Sequence, residues 1–403
     1  MPLFSAKASP ARCLRGQDGE SPSPGGQGPG KERRKAMLTA LLAFLALVAL
    51  LAAFAAIYLR MPKFGALPAG ERLARVLASP NYRDGAFQNL IPTPHGSDDG
   101  SGFVSTMLDF VRTKERLFPG RPIPSVATGL GGLGDGSLVW FGHSGFLARL
   151  GGRNFLFDPS LGPNASPLWW TTKPFPGTQA YGPADLPAID YLLVSHDHWD
   201  HLDHPTVTAL RAKDPLVVSP LGVGAHFERW GFGPDRLAEG DWWDSFEPEP
   251  GLRITIIPSR HFSGRGLSWN QSLWGGFLVE FGGMRILYSG DGGYLPQYAE
   301  FGRRIGPVDL ALMECGQYDR RWRNIHMTPE ESVRAAGELG ARAAMPVHSG
   351  KFRIANHPWD EPFVRFAAAV GQTPMRLVTP RIGQVVDLAD TAQEFDEWWV
   401  GVD

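Results

Sequence analysis

The residues best suited to chemistry lie in one short loop, His196-Asp-His198-Trp-Asp200-His201-Leu-Asp203. An apolar run over 189–194 leads into it and reads as a buried strand. Side chains alternate along an extended chain, so His196 and His198 leave it on the same side and can reach one ion. Asp200 and His201, in the turn that follows, can address a second. Imidazole nitrogen and carboxylate oxygen are the donors that zinc, or another borderline divalent ion, accepts. A merely solvated loop has no need of so many such groups directly behind a buried strand. The spacing therefore predicts a metal centre, and its further ligands must come from elsewhere in the chain.

Strand ends are where those ligands are expected. The runs before His196, His261, Asp291 and His348 all read as strands that finish in a potential ligand. If their ends share one edge of two packed sheets, the four positions meet there. Upstream, short apolar strands at 138–141, 146–150 and 155–157 separated by glycine turns predict a β-meander. Helices are expected at 205–211, 222–230, 329–340 and 362–370. Thr328-Pro-Glu-Glu331 writes one helix start in full, with a threonine cap, proline at the first turn and a capping-box glutamate. His326 sits just before it. Strands inside and helices outside predict an α/β layered domain.

The chain of 403 residues, 43% hydrophobic and 20% charged, is long enough for a large core. A net charge of -2 offers nothing to nucleic acid. Cys13 and Cys315 are too isolated to imply a disulfide framework. Residues 1–36, rich in Gly, Pro, Ser and basic residues, read as a disordered basic tail. Residues 37–59 carry no charge, and such a run spans a bilayer core of about 30 Å. It is too long for a cleaved signal and apolar on every face, which predicts an uncleaved, single-pass membrane anchor. Lys31, Arg33, Arg34 and Lys35 precede it, against Arg60, Lys63, Arg72 and Arg75 spread more thinly behind it. The denser N-terminal cluster orients the body outside the cytoplasm. Residues 60–125 read as a wrapping arm, with a helix around 102–117, and residues 126–403 as the catalytic body.

The order His196, His198, Asp200, His201, His261, Asp291 and His348 resembles the metal-ligand series of the metallo-β-lactamase superfamily, over roughly residues 137–360. Within it, the chain looks most like the N-acylphosphatidylethanolamine-hydrolysing phospholipase D group and its bacterial relatives. The segments that carry this likeness are Trp140-Phe-Gly-His143, Leu156-Phe-Asp158-Pro, Asp241-Trp-Trp243-Asp, Ser289-Gly-Asp291-Gly-Gly, Asn324-Ile-His326-Met-Thr-Pro and Ala355-Asn-His357. The resemblance implies a four-layer αββα sandwich with a dinuclear site, usually two zinc ions. His196, His198 and His261 would then hold one ion, Asp200, His201 and His348 the other, with Asp291 bridging. A hydroxide between the ions would be the nucleophile.

By the same likeness His143 and Asp158 would orient ligands. His326, outside the ligand set, could bind the phosphate or protonate the leaving alkoxide. Asp200 and His326 are thus the catalytic candidates. Arg321 and Arg323 could face phosphate, and Trp243 and Trp274 could line an acyl groove. The expected activity is phospholipase-D-type hydrolysis of N-acylphosphatidylethanolamine to N-acylethanolamine and phosphatidate. The competing readings are a metallo-lactonase or other ester hydrolase, and a non-catalytic, membrane-attached metal-binding protein. The expected partners are a phospholipid, the membrane and a second copy in a homodimer, with no nucleic acid.

Overall fold

Alternation along the strands decides the architecture. In a computed structural model describing residues 29–94, 108, 112–113 and 116–402, the chain divides into residues 1–59 and the body 60–403. In the first unit, helix α1 (Pro29–Leu59) is long and apolar enough to cross a membrane. It begins at Pro29, so the cluster Lys31–Lys35 forms its first turns rather than part of a tail. Residues 1–28, including Cys13, lie outside the described residues, as does nearly all of the helix expected over 102–117.

The body opens with α2 (Gly70–Ala78), a helix not anticipated from the sequence, and a small hairpin, β1 (Tyr82–Arg83) and β2 (Ala86–Phe87). The first half of the sandwich follows: β3 (Ser137–Trp140), β4 (Phe146–Leu150), β5 (Arg153–Phe157), β6 (Tyr191–Leu193), α3 (His204–Leu210), β7 (Leu216–Pro220), α4 (Gly224–Arg229) and β8 (Leu237–Gly240). The second comprises β9 (Ser245–Phe246), β10 (Arg253–Ile257), β11 (Gly276–Phe281), β12 (Met284–Tyr288), α5 (Tyr298–Ile305), β13 (Val308–Glu314), α6 (Pro329–Glu338), β14 (Ala341–Val347), α7 (Glu361–Val370) and β15 (Arg376–Leu377). Strand β16 (Val385–Asp387) returns to pair with β3.

The described strands outside the hairpin form two seven-stranded sheets, ordered β16-β3-β4-β5-β6-β7-β8 and β15-β14-β13-β12-β11-β10-β9. Both start as an antiparallel meander, β3 to β5 and β10 to β12, and continue with parallel pairs. Helix crossovers at α3, α4, α5, α6 and α7 supply most of the parallel connections, as parallel pairing demands.

Phe146 and Ala148 of β4, Phe155 and Phe157 of β5, Ile286 and Tyr288 of β12, and Leu310 and Leu312 of β13 point between the sheets and form one core. Their alternates face outward. Leu147 and Leu156 pack on Val207, Leu210 and Phe227 of the helices on that side. Leu287, Ala311 and Met313 pack on Phe301, Val333, Ala335 and Phe366 on the other. Each large buried side chain contributes roughly 1.5–3 kcal/mol, and a one-residue register slip would turn all of them to the wrong layer. The result is the expected αββα sandwich.

Direction then positions the site. Strands β3, β5 and β6 run the same way, as do β10, β12, β13 and β14, so their C-terminal ends lie along one edge of each sheet. His143, Asp158, His196, His261, Asp291, Glu314 and His348 all follow or end these strands. The helix start at Thr328 has the expected capping box, which fixes the loop carrying His326.

Candidate metal centre

Local backbone at these strand ends is held in place at a cost. His143, Asp158 and His348 have φ of 54°, 36° and 64°, left-handed values rare for residues with a side chain. Cross-sheet bonds hold two of them: His143 N–H donates to Ser349 O at 2.9 Å and His348 N–H to His143 O at 3.1 Å. The two halves of the sandwich are thereby tied together beside the site.

Three imidazoles make the first group. Nε2 of His196 lies 2.8 Å from Nδ1 of His198, and Nε2 of His261 lies 3.2 Å from that same atom. His261 is steadied from outside by Asn89, which bonds its backbone at both N–H and C=O, and by its own Nδ1–H on Ile325 O at 3.0 Å. Burial, reinforced by neighbouring imidazoles, holds His196 and His261 well below the usual imidazole range. Burial takes His198 down to about 4. All three are therefore neutral, the form that offers a lone pair to a cation.

The second group has Asp200 at its centre. Its Oδ2 accepts from Nε2 of His143 at 2.8 Å and lies 3.3 Å from Nε2 of His348 and 3.5 Å from Nε2 of His201. Asp291 stands between the groups. Its Oδ2 is 3.0 and 2.9 Å from Nε2 of His201 and His348, and 3.9 Å from Nε2 of both His196 and His261. Burial opposes charge on these groups, but attraction outweighs it. His201 and His348 are raised well above their ordinary range by Asp291 and Asp200, and the two carboxylates are pushed well below theirs.

The donor set fits a divalent cation. Two buried carboxylates are balanced here only by protons on two imidazoles, and an ion can replace those protons. Oδ1 of Asp291 is buried without a hydrogen-bond partner, as expected of an atom whose partner is an ion. His196, His198 and His261 bring ligand atoms within 4.8 Å of one another, as do His143, Asp200, His201 and His348, and His196, His201 and Asp291. All seven residues picked out by spacing and likeness are thus gathered, with His143 and Asp158 touching them. Asp158 accepts from Nδ1–H of His201 at 2.8 Å. His143 is lowered to about 3, chiefly by burial.

His326 is drawn to the same place. One of its nitrogens lies within 4.8 Å of ligand atoms of His261 and Asp291, and its ring stacks on His348 at 5.1 Å.

The substrate candidates are distributed differently. Trp274 is wholly buried, packs on Trp242 and donates to Ser259 O, so it is part of the core rather than a groove wall. Trp243 packs on Phe301 and under Arg304. The guanidinium of Arg321 is engaged by Asp319. Arg323 is exposed and reaches Glu331 at 3.8 Å. The aromatic surface nearest the ligands is instead Phe262, 4.4 Å from the His198 ring, with Trp269 stacked on it.

Several supporting residues escaped the sequence reading. Asp197, inside the motif, accepts from Gly264 N–H, Ser272 Oγ–H and His226 Nε2–H. Buried Arg265 donates to the carbonyls of Asp197, His198 and Leu202 and lies 4.0 Å over Trp199. Glu314, at the end of β13, accepts from His326. The one local signal was Glu314 itself, a charge closing the apolar run 310–313.

Comparisons with known proteins agree with this geometry. The description "Beta-lactamase superfamily domain" matches residues 153–349. An uncharacterised protein of Mycobacterium tuberculosis is 39% identical over 334 residues, covering 80% of this chain and 87% of its own length. The N-acyl-phosphatidylethanolamine-hydrolyzing phospholipase D 1 of Caenorhabditis elegans is 34% identical over 231 residues, 53% of this chain and 64% of that protein. The isothiocyanate hydrolase from Delia radicum gut bacteria shares the fold at 18% identity and a TM-score of 0.50, over 62% of this chain and 98% of that one.

Proposed function

The chain belongs to the metallo-β-lactamase superfamily as a metal-dependent hydrolase, and from that premise we propose that it is a phospholipase-D-type phosphodiesterase. Its substrate in this reading is N-acylphosphatidylethanolamine, and its products are N-acylethanolamine and phosphatidate. His196, His198 and His261 would hold one zinc ion and Asp200, His201 and His348 a second, with Asp291 able to serve either. Such a pair, when bound, acidifies water and neutralises charge growing on phosphoryl oxygens.

The observation that carries the reading is His326, a histidine outside the ligand set whose ring lies against His348 and His261. A carbonyl substrate with a good leaving group has little use for it, whereas an alkoxide leaving from phosphorus needs a proton. As the oxygen of water bonds to phosphorus, the P–O bond to the N-acylethanolamine breaks with its electron pair on oxygen. His326 gives that oxygen its proton. The proton lost by water passes to solvent, which later restores His326. Phe262 and Trp269 offer an apolar wall next to His198, suited to acyl chains. The C. elegans relative's name supports the same substrate.

The test is direct. Zinc-loaded, full-length protein in detergent should release N-acylethanolamine and phosphatidate from N-acylphosphatidylethanolamine. No release, together with turnover of lactones, overturns the phosphodiester reading in favour of a lactonase. Helix α1 serves in this reading as a single-pass anchor, with the body outside the cytoplasm. Protease protection in intact cells checks that side, and protection of the body from external protease would reverse it.

A further inference from the structure

Glu314 is a buried carboxylate at the end of β13. It is 0% exposed, and Leu310, Ala311, Leu312 and Met313 before it are all buried apolar residues. Its Oε1 accepts from Nδ1–H of His326 at 2.8 Å and lies 3.5 Å from Nδ1 of His348. Its Oε2 accepts from the backbone N–H of Met327 at 2.9 Å. Among the described residues its ion-pair partners are these two histidines, with no lysine or arginine. Burying a carboxylate on such terms is costly, and an apolar residue would fill the strand end at lower cost.

The surroundings hold this carboxylate still. Glu314 N–H donates to Ser289 Oγ at 2.9 Å, and Ser332 Oγ donates to Glu314 O. Ser289 belongs to the loop that carries Asp291, and Ser332 to α6. Met327 N–H can only donate, so it fixes which carboxylate oxygen faces His326. That oxygen in turn can only accept, so the His326 proton next to it must sit on Nδ1. The nitrogen left to meet a substrate is Nε2.

We propose that Glu314 is the positioning residue for His326: its carboxylate holds a proton on Nδ1, which supports the doubly protonated ring whose Nε2–H goes to the leaving oxygen and leaves a neutral, Nδ1-protonated imidazole behind. The kinetic consequence rests on the phosphodiester reading above; the assignment of the proton does not. Glu314 touches no reacting atom and acts only through the imidazole, as carboxylates do behind catalytic histidines elsewhere.

Glu314→Gln is the informative change because it keeps shape and alters hydrogen bonding. Its amide oxygen must accept from Met327 N–H, which turns the amide NH2 toward Nδ1 of His326. Nδ1 then has to accept, so the ring carries a proton on Nε2 alone and could give it up only by becoming an anion. Nitrogen NMR of full-length, zinc-loaded protein with 15N-labelled histidine reads this without turnover, the His326 signals being those lost in His326→Gln. The native protein should show a protonated Nδ1, and Glu314→Gln a bare one. A bare Nδ1 in the native protein overturns the proposal without any Glu314 variant, as does a proton that stays on Nδ1 in Glu314→Gln.

Kinetics supply the second arm. Dialkyl phosphodiesters need a proton on their leaving oxygen, whereas p-nitrophenyl diesters need it far less. Glu314→Gln and His326→Gln should each lower the alkyl-to-aryl ratio of kcat by about 100-fold or more. The double variant should be no worse than either alone. Equal losses on both substrates, with two ions still bound by metal analysis, would make Glu314 a packing residue and sink the proposal. An enzyme that cleaves no phosphodiester at all removes the reading of His326 as acid, and the NMR arm still decides Glu314.

Discussion

Oδ2 of Asp158, at the end of β5, accepts from Nδ1–H of His201 at 2.8 Å and from the Tyr288 hydroxyl, at the end of β12, at 2.6 Å. One carboxylate oxygen thus links a candidate ligand presented by one sheet to a strand of the other. Ser195 adds its N–H to Oδ1 at 2.8 Å and its hydroxyl to Oδ2 at 2.5 Å. Asp158 thereby sets which His201 nitrogen is free for an ion, namely Nε2.

Removing that support should loosen the ion without dismantling the site. Groups that orient a ligand from behind typically contribute ten- to 100-fold in metal affinity. Asp158→Ala is therefore expected to weaken zinc binding by about that factor, measured by competition with a chromophoric chelator. Unaltered affinity would show that His201 is held by packing alone.

Metal uptake should release protons. In the metal-free protein Asp291 and Asp200 raise His201 and His348 well above the ordinary imidazole range, so these rings are charged at neutral pH. A ligand nitrogen must be bare, and binding expels those protons. Zinc affinity is thus expected to rise with pH, because alkali removes the competitor. The ion pairs that stand in for the metal behave oppositely: their contribution is full below the ordinary imidazole range and fades as pH climbs through the raised values. Calorimetric titration in two buffers of different ionisation heat measures the released protons, and a value of zero would rule out this exchange. Chelation should abolish turnover.

How much of this was legible in the chain follows from how each residue reaches the site. His196 to His201 form a local motif, and the strands before His261, Asp291 and His348 carry their own apolar pattern, so their delivery to one edge could be anticipated. The capping box at Thr328 is equally local. Arg265 has no such signature and Glu314 only a charge closing an apolar run: each becomes a strut only through loops that meet after the sheets pack. Trp274 misled for the complementary reason, because a tryptophan's apolar payload suits a core as well as a groove. The left-handed backbone at His143, Asp158 and His348 was hidden too, since the usual glycine marker is absent from all three.

Lys351 makes the body's stability pH-dependent on the alkaline side. Its Nζ is buried, donating to Ser160 O at 2.8 Å and Phe141 O at 3.1 Å, and burial lowers it to about 8. A lysine depressed on folding binds its proton more tightly when unfolded, so its cost is full below about 8 and is relieved toward the ordinary lysine value. Relative to Lys351→Met, the native protein should therefore gain on the order of 3 kcal/mol between about pH 8 and 10.5. Urea unfolding in detergent across that range measures it. A constant difference would mean that the two carbonyls keep Lys351 charged throughout.

Gly293 sets how closely the Asp291 loop approaches the segment leading to His326. A Cβ there would stand 2.1 Å from Asn324 O and 2.4 Å from its carbonyl carbon, both backbone atoms that cannot swing aside. Gly293 N–H also donates to Arg260 O at 2.9 Å, so the loop cannot simply retreat. Gly293→Ala must therefore push residues 324–325 outward. Two consequences follow from the bonds on that segment. Ile325 O would leave Nδ1–H of His261, and His326 would shift against Glu314. Overpacking of this kind costs about 1–3 kcal/mol in stability, and the displaced imidazole should cost about tenfold or more in kcat, since catalytic groups tolerate little misplacement. Gly337→Ala is the matched control. It lies within α6, its Cβ meets nothing within 4 Å, and alanine there should stabilise by about 0.5–1 kcal/mol. Thermal unfolding and kcat for the pair separate a loss caused by the close approach from one caused by any added methyl group. Equal behaviour of the two variants would mean that the 324–325 backbone yields freely and that its contact with Gly293 does not set the position of His326.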